Sequence, residues 1–110
     1  MEYTGKTKDG QYHGYGILKE NGMVFRGNFT NGYANGYGIL TSADHVSVSG
    51  TFINGLLNGY TTIISPNGYW FKGNFKNHMR NGIGAEQMPG EKTIYGLYEN
   101  DVRVKIIEDL

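Results

Sequence analysis

The sequence predicts an all-β fold: a single-layer antiparallel meander of repeated β-hairpins, about ten strands in all. Three observations carry that prediction. Glycine recurs on a fixed period, with Gly5, Gly27, Gly50, Gly73 and Gly96 separated by 22, 23, 23 and 23 residues. Apolar residues flank these glycines two positions away on either side, which on a strand puts all three on one face. Eight Asn-Gly or Asp-Gly dipeptides, at Asp9, Asn21, Asn31, Asn35, Asn54, Asn58, Asn67 and Asn81, supply hairpin turns, because both residue types tolerate positive φ.

The first unit has Tyr3, Gly5 and Thr7, then Asp9, with Gly14 and Gly16 behind them. The second gives the clearest pattern. In Phe25-Arg26-Gly27-Asn28-Phe29 the rings and the glycine share one face, and Arg26 and Asn28 share the other. Strands are expected near 24–29 and 36–41, around a connection from Asn31 to Asn35. Gly27, Gly36 and Gly38 would leave room for rings to lie flat on the sheet. The third unit carries Val48, Gly50, Phe52, Asn54 and Gly59, but Thr61 where the others have a further glycine. The fourth runs Phe71, Gly73, Phe75, Asn77, Gly82, Gly84. A truncated fifth holds Ile94, Gly96, Tyr98 and Asn100. The repeats thus cover 2–101, and 102–110 is a non-repeating tail. Within it, Val102-Arg103-Val104-Lys105-Ile106 alternates apolar and charged residues, as a last strand pairing with 94–98 and capping the array would. A C-terminal helix lying on the sheet is the lesser alternative.

This constellation resembles the MORN (membrane occupation and recognition nexus) repeat, whose unit reads Tyr-x-Gly-x-Trp/Phe-x-x-Gly followed by a Gly-x-Gly pair. Departures are Thr7, Val48 and Thr61, and His78 and Asp101 in place of the glycine that follows the turn Asn or Asp in other units. The position after the first aromatic, usually acidic, is Thr4, Arg26, Ser49, Lys72 or Tyr95. The resemblance implies adaptor or scaffold roles, self-association, links to phosphoinositides, and arrays that accompany enzyme domains.

Composition narrows the function classes. With 110 residues, 10 basic and 10 acidic side chains and no cysteine, the chain is expected to bind neither nucleic acid nor zinc through thiolates. No cofactor or metal is expected. Neither a membrane-length apolar run nor a signal-peptide pattern is evident, so a cytoplasmic protein is expected. His13, His45 and His78 all fall in predicted turns and read as exposed turn histidines. Gly14-Tyr15-Gly16 and Gly36-Tyr37-Gly38 superficially suggest phosphate loops but precede strands rather than helices. Glu99 with Asp101, and Glu108 with Asp109, read as solvated ends. No catalytic constellation emerges, and a non-enzyme is expected.

Between Gly27 and Phe71 the only formal charge is Asp44. An uncharged, tyrosine-rich surface has the composition of an interface. The expected function is therefore a non-catalytic interaction module that binds a partner protein segment, such as a helix, in an aromatic groove. The groove residues would be Phe25, Phe29, Phe52, Trp70, Phe71, Phe75, Tyr95 and Tyr98. Core packing of the same rings is the bland alternative. Peripheral membrane binding through Lys72, Lys76 and Arg80 is a second reading, disfavoured by zero net charge. A small trans-acting inhibitor of a partner enzyme is a third, and the two open sheet edges leave room for a homodimer.

Overall fold

A computed structural model describes residues 1–107. Among these described residues ten strands follow one another in a single antiparallel sheet, each paired only with its neighbours in sequence. They are β1 (Glu2–Lys8), β2 (Gln11–Glu20), β3 (Met23–Thr30), β4 (Tyr33–Thr41), β5 (Ser47–Ile53), β6 (Leu56–Ile64), β7 (Trp70–Lys76), β8 (Met79–Gln87), β9 (Ile94–Glu99) and β10 (Val102–Ile107). The long axis is 50 Å, as ten strands spaced about 4.8 Å apart require. The tail is a strand over Val102–Ile107, paired with β9. Glu108 and Asp109 lie outside the described residues.

One line of glycines crosses the sheet. Pairing runs Gly5, Gly16, Gly27, Gly38, Gly50, Thr61, Gly73, Gly84, Gly96, each directly opposite the next. The aromatic rings lie on this line. A Cβ on Gly38 would come within 2.4 Å of the Phe25 ring, one on Gly16 within 2.6 Å of Tyr3, and one on Gly84 within 2.7 Å of Phe71. Each ring then meets another edge-on, as Phe25 meets Phe29 and Phe52, and Phe71 meets Phe75 and Tyr98. Flat seating plus edge-on cover buries the rings even in a single layer, and truncating one such ring typically costs about 3–5 kcal/mol.

The third unit has its own solution. Val48 stands where the neighbouring units carry a ring, and fully buried Thr61 stands where they carry glycine. A Cβ on Gly50 would meet the Thr61 hydroxyl at 2.7 Å. The smaller first residue and the larger second one fill one slot between them, so two departures from the repeat are a single compensated exchange.

Turn placement differs from the expected one. The hairpins close on two residues, both at positive φ: Asp9-Gly10, Asn31-Gly32, Asn54-Gly55, Asn77-His78 and Asn100-Asp101. The loop expected over Asn31–Asn35 is thus confined to Asn31-Gly32, and β4 begins at Tyr33. Asn35-Gly36, Asn58-Gly59 and Asn81-Gly82 lie inside strands, where the register shifts by two residues. Gly36, Gly59 and Gly82 keep positive φ there, so the local signal was that of a bulge rather than a turn. The side chains of Asn35 and Asn58 accept hydrogen bonds from the Asn54 and Asn77 backbone N–H, 3.0 and 3.1 Å away, tying each hairpin to the next turn.

Candidate functional site

The two faces of the sheet differ in what they offer. Phe25, Phe29, Phe52, Phe71, Phe75 and Tyr98 are each no more than 8% exposed and form one cluster with Leu57. The structure places these six of the eight expected groove residues in the core, where they touch each other instead of lining an open groove. Trp70 and Tyr95 alternate with the core residues and so stand on the outer face, Trp70 half-buried and Tyr95 exposed.

The outer face carries a row that the sequence reading did not single out. Tyr15, Tyr37, Tyr60 and Ile83 are 59, 60, 60 and 53% exposed. They pair across the sheet with Asn28, Thr51, Asn74 and Leu97, all uncharged. Successive members are two strands, hence about 9.6 Å, apart. Each sits at the middle of a Gly-x-Gly or Gly-x-Thr triplet, and that regular position was a legible signal: it occupies the bulge, which faces away from the core. Gly14-Tyr15-Gly16 and Gly36-Tyr37-Gly38 lie within strands rather than before them.

The three cations expected to hold a lipid headgroup are not brought together. Lys72 and Lys76 alternate with the buried rings of β7 and lie on the outer face, with the Lys72 ammonium 5.2 Å from the Trp70 ring. Arg80 lies on the inner face against Phe71 and Tyr98, 5.6 and 5.0 Å from their ring centres.

Arg80 belongs to a polar cluster at the C-terminal end of the inner face. Its Nε donates to Asp101 at 2.8 Å, and Arg103 donates to Glu86 at 2.9 Å. Tyr98 and Tyr69 donate their hydroxyls to the two oxygens of Glu86, at 2.7 and 2.9 Å. Glu86 is only 6% exposed. Burial opposes its ionisation, but the two tyrosine hydrogen bonds and the Arg80 and Arg103 charges outweigh it and hold the carboxyl below its ordinary value. Burial, reinforced by Glu86, pushes both phenols up to about 12. The Arg80 hydrogen bond lowers Asp101, which is therefore a partnered acid rather than a free solvated end.

The histidines are separate from this cluster. His13 lies in β2 rather than in a turn, His45 in the β5 approach, and exposed His78 accepts a hydrogen bond from the Leu57 N–H. Among the described residues, no group of three or more His, Asp or Glu is placed to hold a metal.

Hairpins of this length and repeat spacing are what the MORN repeat model matches, over residues 3–24, 25–47, 49–68 and 71–89. The chain belongs to the MORN repeat family. No curated protein matches it. MORN repeats are protein- or membrane-interaction modules and are typically non-catalytic. In this MORN array the fifth hairpin, β9–β10, follows the last matched segment and completes the polar cluster through Tyr98, Asp101 and Arg103.

Proposed function

We propose that this chain is a non-catalytic protein-interaction module whose contact surface is the outer face of the sheet. The exposed row Tyr15, Tyr37, Tyr60 and Ile83 carries the reading. Flat, amphipathic side chains on a rigid sheet offer contact area with little rotamer entropy to lose, and the absence of charged cross-strand partners keeps desolvation inexpensive. Trp70 and Tyr95 extend the surface toward the C-terminal end and remain the partner-binding residues carried over from the sequence reading. Burial of the inner rings argues against a partner helix seated among them. An adaptor and an inhibitor of a partner enzyme would both use such a face. Separation of Lys72 and Lys76 from Arg80 weighs against a lipid headgroup site.

The test compares wild type with a Tyr15→Ser/Tyr37→Ser/Tyr60→Ser triple variant in affinity capture followed by mass spectrometry. These side chains are exposed, so thermal unfolding should stay within a few degrees. Partner recovery is expected to fall at least about tenfold, a loss that about 1.4 kcal/mol of binding energy accounts for. Unchanged recovery by a folded triple variant sinks the outer-face assignment. A Trp70→Ala variant then asks how far the surface extends.

A further inference from the structure

The outer row has a regular geometry and a charged frame. Each member stands one residue before the glycine line, at Gly16, Gly38, Thr61 and Gly84, so the row runs directly across the strands. Asn28, Thr51 and Asn74 occupy the strands between and are exposed. Rings thus alternate with troughs floored by small hydrogen-bonding side chains. β4, β5 and β6 carry no charged residue, but beyond them the outer face is basic. Lys6, Lys8, Lys19 and Arg26 alternate with inward residues at the β1–β3 end. Lys72, Lys76 and Lys105 stand on the same face at the β7–β10 end. Glu2 and Glu99 are the acids of this face among the described strand residues, and Glu2 already sits opposite Lys19. The chain is neutral as a whole, whereas this face is positive at both ends.

Members of the row recur about every 9.6 Å. A polyproline II helix rises about 3.1 Å per residue with three residues per turn, so each of its faces recurs about every 9.3 Å. Over the three intervals from Tyr15 to Ile83 the two periods drift apart by about 0.9 Å. An α-helix laid the same way repeats a face after seven residues, about 10.5 Å, and drifts by about 2.7 Å. An extended strand repeats a face about every 6.7 Å and keeps no register with the row. A polyproline II segment leaves its own carbonyls unpaired, and proline brings no N–H that the face would have to satisfy. Asn28, Thr51, Asn74 and the tyrosine hydroxyls supply donors for those carbonyls.

We infer that the outer face receives a proline-rich polyproline II segment of a partner protein, with proline at every third residue and acidic residues at both of its ends. This rests on the outer-face reading above and names the partner's chemistry. Ten residues of such a segment span about 28 Å, and Tyr15 to Ile83 span about 29 Å. The prolines stack against Tyr15, Tyr37 and Tyr60 and reach Ile83, while the acidic ends meet the two basic clusters. A single-stranded nucleic acid or an anionic lipid surface would also meet those clusters, but each lays phosphates over the uncharged centre as well. Arg26 and Lys72 lie in line across the sheet, about 19 Å apart. That gap exceeds two screening lengths of about 8 Å, so phosphates above β4–β6 would lack a counter-charge.

The test is fluorescence anisotropy of labelled peptides with the full chain. Asp-Asp-Pro-Gln-Ser-Pro-Gln-Ser-Pro-Gln-Ser-Pro-Asp-Asp is expected to bind saturably with Kd below about 1 mM and to weaken as salt is added. A peptide of identical composition with its prolines unevenly spaced should bind at least about tenfold more weakly. So should a peptide with lysine in place of the four aspartates. Tyr37→Ser/Tyr60→Ser and Arg26→Gln/Lys72→Gln, all at exposed positions, should each weaken the first peptide several-fold while the urea midpoint stays near wild type. The inference is overturned by no binding tighter than about 1 mM, by equal binding of the unevenly spaced or the lysine-flanked peptide, or by unchanged affinity in either folded variant. Tighter binding of single-stranded oligothymidylate or of phosphatidylserine vesicles also overturns it. The two failures are distinguishable: the outer-face reading survives a failed peptide if the triple tyrosine variant still loses its captured partners.

Discussion

Val48 and Thr61 show how a residue-level departure from a repeat can be a matched pair. In the first, second and fourth units a ring lies over two glycines; in the third, Val48 stands in place of the ring and Thr61 in place of the second glycine. Restoring the ring alone, Val48→Phe, drives it into Thr61 and is expected to cost about 1–3 kcal/mol through overpacking. Thr61→Gly alone opens a void, with a similar loss. The double variant Val48→Phe/Thr61→Gly recreates the Phe25/Gly38 arrangement, and urea titration should place it closer to wild type than either single change. A coupling energy near zero rejects the matched-pair account, since contacting residues ordinarily couple by about 0.5–3 kcal/mol. The exchange was visible in the sequence only as two irregularities, since the facing of these positions emerges only once the strand register is set. The same holds for Asn35 and Asn58: their dipeptides announced positive φ correctly, but sequence does not distinguish a turn from a bulge. Periodicity, by contrast, was sufficient for strand number and for the ring contacts at Gly27 and Gly38, because both follow from side-chain alternation; Gly36, expected to make room for a ring as well, instead takes positive φ in the bulge and meets no ring.

At the level of elements, β8, β9 and β10 are joined by charge where the preceding strands are joined by apolar rows. That difference gives the protein two pH limits. Glu86 and Asp101 are held below their ordinary values, so their contribution is present above the normal carboxylate range and is lost as the pH falls through their folded values. Tyr69 and Tyr98 are raised from 10.0 to about 12, so their contribution is complete below pH 10 and disappears as the pH rises toward 12. Urea midpoints measured across pH should therefore fall at both ends. Tyr69→Phe/Tyr98→Phe should flatten the alkaline limb specifically; a limb of undiminished slope would assign it to other groups. None of this was legible beforehand. Glu86 sits among ordinary strand residues, and the groups that bind it from a connection and two later strands, Tyr69, Tyr98 and Arg103, lie between 12 and 17 residues away.

Across the whole molecule, stability is a chain of nearest-neighbour terms, since every strand pairs only with its sequence neighbours. β1 has one partner and a largely exposed surface, while β5 to β7 are paired on both sides and contribute Phe52, Leu57, Phe71 and Phe75 to the core. Native-state hydrogen exchange should consequently show protection lowest in Glu2–Lys8 and highest across Ser47–Lys76. Uniform protection throughout would mean that the array opens only as one unit.

The continuous glycine line also bears on how such a molecule can lengthen. A hairpin of the ring-on-glycine type brings both halves of its own slot, so a duplicated copy inserted upstream arrives already fitted. The matched Val48–Thr61 unit is equally portable. Glu86 is different, because its partners reach from Tyr69 to Arg103. That stretch can be inherited only as a block, so whole units can be gained or lost on its N-terminal side without disturbing it.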